Sequence, residues 1–170
     1  MIDQITEKLI EHLSTHLSGV EVDAYSDITK RTPLPCARLR LDHIEPSDRQ
    51  PGNGQTSVAC QFELFVVSVP EIAGAHITLQ MLCAQAIHAL HHPVRLLPNV
   101  GTIKVSGASE NGFDADFDGY LAWQVSFSVT VLLGDVDSWT VPGLPPQAVY
   151  ADLDPSTERN PIEAYEALDV

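Results

Sequence analysis

Residues 56–92 read TSVACQFELFVVSVPEIAGAHITLQMLCAQAIHALHH, and the hydrophobic period of this stretch changes halfway. In the first part Val58, Cys60, Phe62, Leu64 and Val66 alternate with Gln61 and Glu63. A period of two describes a strand with one buried face. Phe65, Val67 and Val69 make the other face apolar towards the end, so that end is expected to be covered on both sides. In the second part Ile72, Ala75, Leu79, Leu82, Ala86 and Leu90 recur at three and four residues, which is one face of a helix. Pro70 cannot continue a strand ladder, and Pro93 stops the helix. A long strand therefore leads into a long amphipathic helix that lies back on the sheet, and the rest of the chain pairs with the one or packs beside the other.

Working outward towards the N-terminus, Ile2, Ile5, Leu9, Ile10, Leu13 and Leu17 mark a first amphipathic helix over about 3–17. Asp3 is placed to cap it, and Gly19 suits the residue past its end. A short strand is expected within 20–25. Over 36–44, Ala37, Leu39 and Leu41 alternate with Arg38, Arg40 and Asp42, giving a strand with one charged face. Residues 45–55, EPSDRQPGNGQ, contain no apolar side chain and read as a mobile loop closing a long hairpin. Towards the C-terminus, a strand is expected over 102–109 and a second long one over 120–133. In the latter Leu121, Trp123, Val125, Phe127, Val129 and Val131 alternate with polar residues. The expected architecture is α+β: two amphipathic helices packed on a largely antiparallel sheet of about four to five strands.

Composition changes at Gly134, which divides a domain over 1–133 from an acidic, Pro-rich segment over 134–170. That segment carries eight acids and a single base, Arg159, and so half of the chain's net charge of −14. Such a segment cannot bury enough apolar surface to fold alone. Yet Trp139, Val141, Leu144, Val149, Tyr150, Leu153 and Tyr165 are spaced along it like anchors. The choice lies between a solubilising tail and an extended arm that wraps a neighbouring subunit; the aromatic residues favour the arm.

The 170 residues are 44% hydrophobic, enough for one core, but only 6% aromatic, so the core is expected to be aliphatic. The acidic balance and nine scattered bases argue against a nucleic-acid-binding or anionic-membrane-binding surface. An acidic surface would still let DNA slide past. Cys36, Cys60 and Cys83 form no CxxC pair and read as reduced, buried thiols. The N-terminus lacks the pattern of a signal peptide, and no apolar run approaches the ~20 residues of a membrane helix, so a soluble cytoplasmic product is expected.

Three constellations could carry chemistry. Asp114, Asp116, Asp118 and Gly119 in DADFDGYL match the front half of a calcium loop. Position twelve, where a bidentate Glu is needed, is Val125, and a strand follows instead of a helix. A polar turn with Gly119 at positive φ explains the same residues. His12 and His16 stand one helical turn apart, a zinc-compatible spacing, but no third ligand is apparent. His88, His91 and His92 end the second helix, where imidazoles favour the dipole and the exposed carbonyls. No nucleophile elbow, Walker loop or dinucleotide turn occurs. No cofactor is expected, and a non-enzyme is favoured.

Taken in order, a helix from residue 2 or 3, a loop ending Leu34-Pro35, an alternating strand, a polar loop, a long strand with its helix, and the Trp-containing strand YLAWQVSFSVTV (120–131) make a familiar series. Over about 1–133 it resembles the tail terminator (tail completion) proteins of long-tailed bacteriophages, including the Mu-like branch. The resemblance implies a virion protein of the neck-proximal tail. It implies a homohexameric ring that caps the tail tube, stops tube polymerisation and meets the head connector, with genomic DNA passing through the lumen unbound. Docking elements would be the 45–55 loop, with Arg49, and the arm, with Trp139, Tyr150 and Tyr165. Arg38 and Arg40 would either meet acids of a neighbour's arm or form an ordinary solvated face. An exposed sheet edge could also add strands across subunits. Alternatives are another head–tail connector or tube component and, from a different class, a small calcium- or ligand-binding module built on Asp114–Asp118.

Overall fold

A computed structural model describes residues 2–26, 28–29, 31–91, 97–111, 117 and 119–135, and the backbone of 150–151 and 166–167. The chain forms two compact units, Met1–Asp135 and Val136–Val170. In the first unit the elements are α1 (Ile2–His16), β1 (Glu21–Ala24), β2 (Cys36–Pro46), β3 (Thr56–Ser68), α2 (Ala75–His91), β4 (Val100–Glu110) and β5 (Leu121–Leu133). In the second, β6 (Tyr150–Ala151) pairs antiparallel with β7 (Glu166–Ala167).

The expected α+β fold is the observed one. The sheet runs β1-β2-β3-β5-β4. β3 and β5 pair antiparallel without a register shift from Thr56↔Leu133 to Ser68↔Leu121. That register follows from the two period-two runs: a slip of one residue would turn every apolar side chain to the wrong face. It also sets Phe62 opposite Phe127, with their rings stacked at 5.6 Å. β4 pairs with the far side of β5, so β3, α2 and β4 form a split βαβ crossover with β5 inserted between the parallel strands.

Both helices cover one face. Ile5, Leu9 and Leu13 from α1, Leu17 just after it, and Leu79, Ala86, Ala89 and Leu90 from α2 meet Leu39, Phe62, Leu64, Val66, Val125, Phe127 and Val129, all nearly or fully buried. Burying each large aliphatic side chain contributes roughly 1.5–3 kcal/mol. His12 joins the helices, its Nε2–H donating to the Ala89 carbonyl at 3.0 Å. The end of β3 is covered on its second face too, as its apolar pattern requires. Phe65 and Val67 are buried with Cys36, Phe117 and Ala122 beneath Tyr25, Ile28 and Leu34 of the β1–β2 connection.

Several expectations are corrected. The sheet is largely antiparallel as expected, but β1 pairs with β2 in parallel, and the described residues between these two strands form no helix. α1 begins at Ile2, so Asp3 lies inside its first turn and acts on the dipole instead of capping. α2 begins only at Ala75, because Gly74 (φ 78°) takes a backbone conformation that a helix cannot include. Ile72 therefore belongs to a turn, where it is exposed, and not to the buried stripe. β2 continues through Pro46, past a register shift between Leu41 and His43. The loop after it is tied down. Gln50 donates to the carbonyls of Ser47 (2.9 Å) and Ser57 (3.0 Å) and accepts from the Ser57 N–H at 2.8 Å. Gly19 (φ 80°) ends α1 as expected.

Candidate functional site

The sequence points first to the charged face of β2, and there the fold departs from the alternation. Arg38 is 3% exposed. Parallel pairing sets Asp23 beside it, one turn of the pleat from Glu21, and Glu21 accepts from Arg38 Nη2 at 2.9 Å. Its Nη1 donates to the Ala37 carbonyl at 3.2 Å. Arg40 lies beside the cross-strand Glu63 and donates to its Oε2 from Nε (3.1 Å) and Nη2 (2.7 Å). Its guanidinium also stacks over Tyr25 and Phe65, 5.0 and 4.8 Å from the ring centres. Gln124 completes the row, donating to Glu63 Oε1 at 2.5 Å and to Ser126 at 3.2 Å. Both arginines are thus engaged inside the subunit. A charged residue in an alternating strand reads as solvated only when nothing covers that face, and here the 25–35 crossover does.

Arg49 stays exposed on the loop. Trp139 and Tyr165 lie outside the described residues, and Tyr150 is described only as backbone in β6. Asp114, Asp116 and Asp118 also lie outside them. Their neighbours are placed: Phe117 is buried against Phe65, 5.1 Å between ring centres, and Gly119 has φ 83°. Val125, at the position a calcium loop reserves for Glu, is fully buried in β5.

Among the described residues, no three His, Cys, Asp or Glu side chains come together as a metal site. His16 Nδ1–H donates to the His12 carbonyl at 2.8 Å, so this pair is spent on helix contacts. Cys36, Cys60 and Cys83 are unpaired and buried. Burial raises all three thiol pKa values, that of Cys83 to about 11, which suppresses the thiolate that nucleophilic chemistry needs.

Two surfaces escape the sequence reading. Beyond the Arg40 row the uncovered half of the sheet holds a shallow polar groove of about 410 Å³, lined by Glu45, Asp48, Gln61, Lys104, Ser128 and Thr130 among others. On the other side of the sheet, α2 turns Ile77 (64% exposed) and Met81 (59%) to solvent. In a chain that is 19% charged, none of the residues of α2 is Asp, Glu, Lys or Arg. Missing charge was the available signal for this face. It is hidden from a search for apolar periodicity, which registers only the inward stripe. No helix among the described residues is long and apolar enough to cross a membrane. Compared with protein-family models and with curated proteins, the chain matches none.

Proposed function

We propose that this chain is a ring-forming tail terminator of a long-tailed phage. In this reading it caps the head-proximal end of the tail tube, stops tube growth and meets the head connector. The observation that carries the reading is the element order. α1, the Leu34-Pro35 loop, the β2–β3 hairpin, the β3–α2 pair and the Trp123 strand occur in the sequence that the resemblance calls for, on one sheet. Two surface features support an assembly role over a catalytic one: an uncharged helix face open to solvent, and thiols held protonated by burial. The acidic balance suits a ring through which DNA passes without being gripped. Its work would be surface complementarity, with one patch meeting a different patch on the next subunit around a closed ring.

Light-scattering mass combined with negative-stain imaging tests this, followed by addition to polymerising tail tubes. Six-fold rings, or a monomer that caps tubes and fixes their length, are expected. A monomer at every concentration that leaves tube growth unchanged would overturn the reading; calcium titration at Asp114, Asp116 and Asp118 would then be the next measurement.

A further inference from the structure

We propose that the polar groove on the uncovered half of the sheet binds a short zwitterionic peptide, its ammonium against Glu45 and Asp48 and its carboxylate against Lys104. The site goes beyond the assembly reading and stands independently of it. Four neighbouring strands and the β2–β3 loop build the groove. Glu45 of β2 pairs with Ala59 of β3, and Ala59 with Thr130 of β5. One step along the pleat, Gln61 pairs with Ser128, and Ser128 with Lys104 of β4. Ala59 has the smallest side chain in these rows, which leaves the floor low between Glu45 and Thr130.

The acidic wall is held in place. Gln61 Nε2 donates to Glu45 Oε1 at 2.9 Å, which orients that carboxylate and occupies one of its oxygens. The Ser47 N–H donates to the Ser57 carbonyl at 3.0 Å, and Gln50 clasps the same two residues, so the turn that carries Asp48 is fixed. The groups left facing the groove are free. Lys104 Nζ, the Asp48 carboxylate and the Ser128 and Thr130 hydroxyls make no hydrogen bond or ion pair among the described residues. Glu63, the next acid on this face, is already engaged by Arg40 and Gln124. Guarding a sheet edge would account for a lysine on β4, but not for a carboxylate oriented across the sheet from it.

Charge and span select the ligand. One base facing two acids is the wrong balance for a phosphate ester or a nucleic acid. Two carboxylates with an ammonium opposite make a poor cage for a divalent cation. No aromatic ring lines the groove, so it offers no platform for stacking. Hydroxyls both donate and accept, which suits the N–H and C=O groups of a peptide lying over the floor. Opposite charges at the two walls suit an ammonium at one end of that peptide and a carboxylate at the other. β2 and β4 stand three strand spacings apart, roughly 14 Å between backbones. Glu45 and Lys104 line the groove from its two sides and shorten that gap, and an extended tripeptide spans at most roughly 11 Å. The groove volume of about 410 Å³ falls at the lower end of the roughly 300–1,000 Å³ typical of small-ligand sites.

The probe is triglycine, titrated into the full chain by ligand-observed NMR at about pH 6, where a peptide's terminal amine is charged. Saturable binding is expected. Removing either end charge, in N-acetyltriglycine or triglycinamide, should weaken it about tenfold or more, the scale of one charge-assisted hydrogen bond. Lys104→Met should weaken triglycine binding by a similar factor, and so should Glu45→Gln combined with Asp48→Asn. These side chains are exposed, so far-ultraviolet spectra should stay unchanged. Glu110→Gln, on β4 but outside the groove, should leave binding as it is. Glycine, too short to meet both walls, should bind about tenfold more weakly or worse. An absence of saturable binding up to roughly 10 mM triglycine would overturn the proposal. So would blocked peptides or glycine that bind as well as triglycine, groove variants that bind unchanged, or an equal loss in Glu110→Gln.

Discussion

The two helices do the same work inside the protein and opposite work outside it. α1 buries Ile5, Leu9 and Leu13 and presents Asp3, Glu7, Lys8 and Glu11 to water, with Lys8 Nζ 2.6 Å from Glu11. α2 buries Leu79, Leu82, Cys83, Ala86 and Leu90 and presents Ile77, Met81 and Ala84 among uncharged polar residues and histidines. An inward stripe is a condition of folding and is met by both. An outward face is free of that condition, and charge is its default because charge keeps a surface solvated and unassociated. In a chain with net charge −14, the charge-free outward face of α2 is not required by folding, because the inward stripe alone meets that condition.

The largest expected effect tests the inward half of this comparison. Leu9→Ala and Leu79→Ala each remove a fully buried side chain, and each should lower the unfolding free energy by about 2–5 kcal/mol in urea titrations. A loss confined to one helix would break the equivalence of the inner faces.

Next is a pH effect centred on α2, which holds a buried ionisable thiol where α1 has none. Burial keeps Cys83 protonated to about 11, against an ordinary value of 9.0. From pH 9 upward the unfolded chain sheds a proton that the folded chain retains, so stability should fall as pH rises through 9 to 11. Cys83→Ala should make that fall shallower. An unchanged slope would mean that the thiol is open to solvent.

A smaller loss, about 1 kcal/mol, is expected for His12→Ala, which removes the hydrogen bond between the helices while leaving both stripes intact. Chemical denaturation of the two proteins side by side measures it, and no change would show that water replaces the imidazole at the Ala89 carbonyl. The smallest effects concern the outer faces. Lys8→Ala should leave the unfolding midpoint where it is, since its ion pair with Glu11 is solvated. Ile77→Gln should change the stability of the dilute protein by less than about 0.5 kcal/mol. If Ile77→Gln alone destabilised the dilute protein strongly, the side chain would belong to the core and the contrast between the faces would vanish.

Local pattern carried a large part of this fold into view. The alternations of β3 and β5, the stripes of both helices, the β2–β3 hairpin and the glycine after α1 are each set by side chains close in sequence, so they could be read before any contact was known. Arg38, Arg40 and Glu63 could not be understood that way. Their environment depends on which strand lies beside β2 and on what crosses above it. Parallel pairing of β1 puts Glu21 within reach of Arg38, and the 25–35 crossover lays Tyr25 over Arg40. Gln50 likewise gave no sign that it would clasp the hairpin, because its partners are backbone groups brought close only by the turn.

By itself the sequence determined the number and kind of the main elements, the face each helix buries and the acidic character of the C-terminal segment, because periodicity and charge act over a few residues. The tertiary structure alone decided the strand order with β5 inserted between β3 and β4, the burial of a supposedly solvated arginine, and the covering of the second face at the end of β3 by the β1–β2 connection. Each of these depends on which surfaces remain uncovered once distant parts of the chain have packed, and that is a property of the whole arrangement.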